Sequence, residues 1–118
     1  MAYSGINKSK SYFNTKLYTG NGSAGLAVTG VGFQPDLIWF KNRSATASHN
    51  LMDAVRGSSK VLLTDSTTAE LTDTDRLQSF NSDGFTVGAN VHENGNGNSI
   101  VAWNWKANGA GSANTDGS

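Results

Sequence analysis

Cysteine is absent from the 118 residues, which excludes a disulfide framework and a thiolate metal site. Proline occurs once, at Pro35. Glutamate occurs only at Glu70 and Glu93, and six lysines and three arginines complete a small stock of helix formers. A helical bundle or coiled coil needs far more of them. No apolar run approaches the ~20 residues that cross a bilayer as a helix, so no membrane partner is expected. Neither sign of charge prevails: nine basic residues balance nine acidic ones. Such a chain has no electrostatic footprint for nucleic acid.

Gly, Asn, Ser and Thr are what the chain has in quantity, 52 residues together. Among them 31 large apolar side chains are spread along the chain, enough for a small core. From Tyr18 onward, turn residues recur every 8 to 15 positions. Between them lie short apolar or alternating segments: Leu26–Val28, Leu37–Phe40, Lys60–Leu63, Leu77–Phe80, Phe85–Val87 and Ile100–Lys106. The segment Asn50–Arg56 fits a short helix capped by Ser48 or a strand, and its strand neighbours favour the strand. Asn81-Ser82-Asp83-Gly84 signals a hairpin. Thr64–Asp75 and His92–Asn98 read as polar loops. Short connections require antiparallel pairing. The expectation is an all-β fold, a single antiparallel β-sandwich of jelly-roll or lectin-like type, with a small barrel as the alternative. Residues 1–16 read as an extended N-terminal arm, 17–107 as the sandwich and 108–118 as a flexible Gly/Ser/Asn tail. An edge strand from Phe13 to Tyr18 competes with the arm. Alternation assigns Leu37, Trp39, Val61, Leu63, Phe85, Val87, Val101 and Trp103 to the core.

No constellation marks catalysis. Gly20-Asn21-Gly22-Ser23-Ala24-Gly25 matches a dinucleotide fingerprint literally, but no helix follows to hold a phosphate, so it reads as a turn. His49 and Asp53 lack a third metal ligand, and Asp73-Thr74-Asp75 alone is no calcium loop. No carboxylate pair or nucleophile elbow stands out, so neither an enzyme nor a cofactor is expected. Asp53 and Arg56 suit a structural pair, a guanidinium pinning a turn. Amides in the Gly/Asn loops, at Asn21, Asn94 and Asn96, with Trp105 at the end of the last strand, suit a glycan site. Tyr3, Tyr12 and Phe13, aromatic residues in a polar arm, need a surface to bury against, and a neighbour's exposed edge strand would supply one. That reading makes the arm an assembly element of a homo-oligomer.

Phe13–Ser23, Gly30–Arg43, Asp53–Gly57, Asn81–Phe85 and Val101–Lys106 together resemble a domain common in tail-fibre and other virion proteins of marine bacteriophages. The resemblance implies a lectin-like sandwich, a location in the virion, other virion proteins as partners and a trimer as the oligomer. It supplies no catalytic residue. The expected function is a fibre or decoration module held by protein contacts, and the alternative is a module that binds a host-surface glycan.

Overall fold

The alternating segments become nine strands in a computed structural model, which describes residues 11–107. In chain order they are β1 (Phe13–Thr19), β2 (Leu26–Val28), β3 (Leu37–Asn42), β4 (Asn50–Asp53), β5 (Lys60–Leu63), β6 (Leu71–Thr72), β7 (Leu77–Asn81), β8 (Gly84–Val87) and β9 (Ser99–Trp105). A single helical turn, α1 (Val91–Asn94), precedes β9. Six strands form one antiparallel sheet in the order β1-β9-β3-β4-β5-β6, and three form a second in the order β2-β8-β7. The fold is an all-β sandwich.

The core lies between the sheets. Ile38, Phe40, Met52, Val61, Ile100 and Ala102 come from the large sheet, and Val28, Leu77, Phe85 and Val87 from the small one. Phe85 sits at the centre, edge-on to Phe40 with ring centroids 5.2 Å apart and to Tyr18 at 5.9 Å. Such edge-to-face pairs add to the area they remove from water. The turn of the β7–β8 hairpin also closes the sandwich. The Asp83 carboxylate accepts from Gly30 N at 3.0 Å and Gly32 N at 2.7 Å, and Val31 N donates to the Asp83 carbonyl. The loop that leads from β2 to β3 is thereby tied to the hairpin beside β2.

Four sequence expectations need correction. β1 begins at Phe13, so Phe13–Lys16 belong to the sandwich and not to an arm. Leu37, Trp39, Leu63 and Trp103 are half-buried, while their neighbours Ile38, Phe40, Ile100 and Ala102 are fully buried. On β3 and β9 the alternation was right and the chosen side was wrong for Leu37, Trp39 and Trp103, because both sides of those strands are rich in large side chains; Leu63 does lie on the inward side of β5 with Val61 and packs against the core. Thr64–Asp75 contains the two-residue β6, which pairs with β5. His92–Asn98 is not all loop. Asn90 caps α1 by accepting from His92 N at 3.0 Å, which satisfies a donor that the first turn cannot. Tyr3 and the tail 108–118 lie outside the described residues.

Candidate interaction face

The register of the large sheet sorts its side chains into two sets. Even-numbered residues of β1, β9, β3 and β4 face the small sheet, and odd-numbered residues face outward. Three outward rows follow from the pairing. Phe13, Trp105 and Leu37 stand side by side in one row, next to Asp53. Thr15, Trp103, Trp39, Leu51 and Leu62 form the next. Leu17, Val101 and Lys41 form the third.

The aromatic rings in these rows touch. Phe13 and Trp105 have centroids 5.1 Å apart at 52°, and Trp39 and Trp103 are 5.1 Å apart at 43°. His49 meets Trp39 edge-on at 6.4 Å. The Trp39 indole N–H donates to Thr64 Oγ1 at 3.1 Å; those of Trp103 and Trp105 have no partner among the described residues. All three tryptophans of the chain therefore sit on the outer side of the large sheet. Leu17, at 58% exposure, and Phe13, at 37%, carry the apolar surface to the β1 edge. Charge is confined to the border. Asp53 takes Arg56 Nε at 2.6 Å and Arg56 N at 2.8 Å, and Arg56 Nη1 reaches Glu70 at 3.0 Å. Burial acts to raise the Asp53 pKa, and the Arg56 contacts outweigh it and hold it below the usual range. Lys41 is turned aside onto the carbonyls of Asn42 and Ala45.

A family model described as a domain of unknown function (DUF7483) matches residues 8–118. The chain belongs to this family. No curated protein and no solved structure matches it.

The glycan site expected from the DUF7483 sequence does not come together. Asn21 and Asn94 do meet: Asn21 N donates to Asn94 Oδ1 at 2.7 Å, and Asn94 Nδ2 to Asn21 Oδ1 at 3.1 Å. Asn94 is fully buried, however, and its amide also serves the Ser23 and Gly88 carbonyls. It holds two loops together and has no donor left for a sugar. Asn96 is exposed beside Gly22. Trp105 is at the other end of β9 from these amides, about 20 Å away at the usual strand rise. His49 and Asp53 are separately occupied, by Trp39 and Arg56.

A second polar group escaped the sequence reading. Glu93, on α1, is fully buried, and its Oε1 accepts from Asn50 Nδ2. Arg76 Nη1 donates to Asn50 Oδ1 at 2.9 Å, Asn42 Nδ2 to the Val91 carbonyl at 2.7 Å, and the Tyr18 hydroxyl to the Glu93 carbonyl at 2.7 Å. Glu93 Oε2 is buried without a partner among the described residues. Burial pushes the Glu93 carboxyl up to about 8, against the pull of the Arg76 charge. Burial, and then Glu93, also raise the Tyr18 hydroxyl. These groups plug the sandwich where α1 crosses it. The available signal was Asn90 followed three residues later by Glu93, the pattern of a helix start.

Proposed function

We propose that the domain is an assembly module of a bacteriophage virion structural protein, a fibre or decoration element that holds its neighbours through the outer face of the large sheet. The observation that carries this reading is the grouping of Phe13, Trp39, Trp103 and Trp105 on one solvent-facing side, with charge only at its border. An uncovered apolar patch with a polar rim is characteristic of contact surfaces. Aromatic residues supply most of the binding energy in such contacts. The virion setting follows from the resemblance across Phe13–Lys106, and the partners are other virion proteins and further copies of the chain. Mass spectrometry of purified particles of the encoding phage tests it: the chain is expected in the particle, and its absence from intact virions contradicts the reading.

One feature of the same face favours a second reading. Trp105 and Phe13 lie near the sheet edge, and indole rings on an open sheet stack on sugars. On this reading the ligand is a host-surface glycan. A glycan array separates the two: binding that Trp105→Ala abolishes supports the sugar, and an array without a hit leaves the protein contact.

A further inference from the structure

We propose that two copies of the chain pair through the free edges of β1, antiparallel and centred on Thr15, so that the two large sheets become one continuous sheet. This deepens the assembly reading by naming the partner and the register.

The backbone supplies the first reason. β1 pairs with β9 at positions that sum to a constant, Phe13 with Trp105 through Thr19 with Ser99. At the two ends of that ladder, Lys106 N donates to the Tyr12 carbonyl at 2.7 Å and Gly20 N to the Asn98 carbonyl at 2.9 Å. In an antiparallel ladder hydrogen-bonded positions alternate. The even residues of β1 therefore point their N–H and C=O at β9. Those of Phe13, Thr15, Leu17 and Thr19 point away from it and have no partner among the described residues. The other sheet edges are blunted: β6 has two residues, β2 has three, and β7 carries a register irregularity between Leu77 and Ser79. β1 is seven residues long and regular. An edge of that kind is a template for another strand.

The side chains supply the register. Outward-pointing groups must meet outward-pointing groups, so the two-fold axis passes through Thr15, Lys16 or Leu17 if most of the strand is used; an axis at Leu17 sets Phe13 opposite Asn21, past the end of the strand, and leaves its ring uncovered. An axis at Lys16 makes the two lysines a directly opposed like-charge pair, which destabilises a strand pair. An axis at Thr15 sets Phe13 against the second copy's Leu17, Thr15 against Thr15, and Asn14 against Lys16. The two exposed apolar side chains of the edge then cover one another, each lysine faces an amide, and threonines pair at the centre. The outer aromatic rows of the two copies join across the seam.

The absence of cysteine makes the register testable on the full chain. Light scattering over a dilution series should give a particle of about twice 12.4 kDa at high concentration. Thr15→Pro removes an N–H that faces the partner and none that faces β9, so it should yield a monomer with an unchanged far-UV spectrum. Leu17→Lys, a milder change on the same edge, should weaken the dimer at least tenfold. Under mild oxidation Thr15→Cys should cross-link into a covalent dimer, since paired Cα atoms stand ~5.5 Å apart. Lys16→Cys, displaced by two residues from its copy, should not. A monomer at every concentration, a trimer, a dimer that survives both Thr15→Pro and Leu17→Lys, or faster cross-linking at Lys16→Cys would each overturn the proposal. Detection of the chain in virions tests the assembly reading separately, so failure of one is distinguishable from failure of the other.

Discussion

Trp103 and Ala102 are neighbours on β9 and live in different surroundings. Ala102 is fully buried between the sheets, and Trp103 leans on Trp39 with one side open. The cost of truncation should follow. Phe85→Ala removes the ring at the centre of the core and should cost about 3–5 kcal/mol. Trp103→Ala should cost ~1–2 kcal/mol, the ring pair and the part of its area that Trp39 covers. Urea denaturation of both variants checks the order, and equal losses would put Trp103 in the core. Glu93 makes a different prediction. Its carboxyl is raised from an ordinary value near 4.5 to about 8, chiefly by burial. Between those values the folded chain keeps a proton that the unfolded chain releases, so stability from this group falls as pH rises through the window. Glu93→Gln cannot titrate. Its melting temperature relative to wild type should climb from pH 5 to pH 8, and parallel melting curves would contradict the burial.

Where one side of a strand is polar, its place in the sandwich could be read from sequence. The β7–β8 hairpin is such a case, with Asp83-Gly84 at its turn and Phe85 and Val87 inward. Gly84 is required by contact: a Cβ there would run into the Val28 carbonyl on the neighbouring strand. Gly84→Ala should therefore cost about 1–3 kcal/mol, as overpacking does, and should loosen β2 from β8. Amide exchange at Leu26–Val28 would report it, and unchanged protection would contradict the close approach. β3 and β9 were harder. Leu37-Ile38-Trp39-Phe40 is apolar on both sides, so period-2 alternation finds the strand and cannot say which side is inward. On β9 the large rings drew the core assignment outward. The inward set contains Asn104, whose amide serves the Asn14 and Ala102 carbonyls. The plug of Asn42, Asn50, Glu93 and Asn94 was invisible for a related reason. Glu93 and Asn94 sit in a Gly/Asn segment with the composition of a solvated loop, and Asn42 and Asn50 are polar residues at strand ends, where nothing in the sequence marks them as buried.

A sandwich with one solvated outer side needs that side to be polar if nothing covers it. Here the outer side of the large sheet carries Phe13, Trp39, Trp103 and Trp105, and its edge carries Leu17. The fold class was readable because turns and strands alternate along the chain. The outer aromatic face was not, because it depends on which half of an alternation points outward. The Asp53–Arg56 pair was readable from spacing alone, since three residues suffice to close that turn. All three tryptophans of the chain occupy the proposed contact face, so oxidative footprinting of tryptophan reports on it alone. The most direct test compares the isolated domain with the intact particle. Trp39, Trp103 and Trp105 should oxidise readily in the isolated chain and be protected severalfold once assembled. Equal oxidation of all three in both states would contradict a contact through this face.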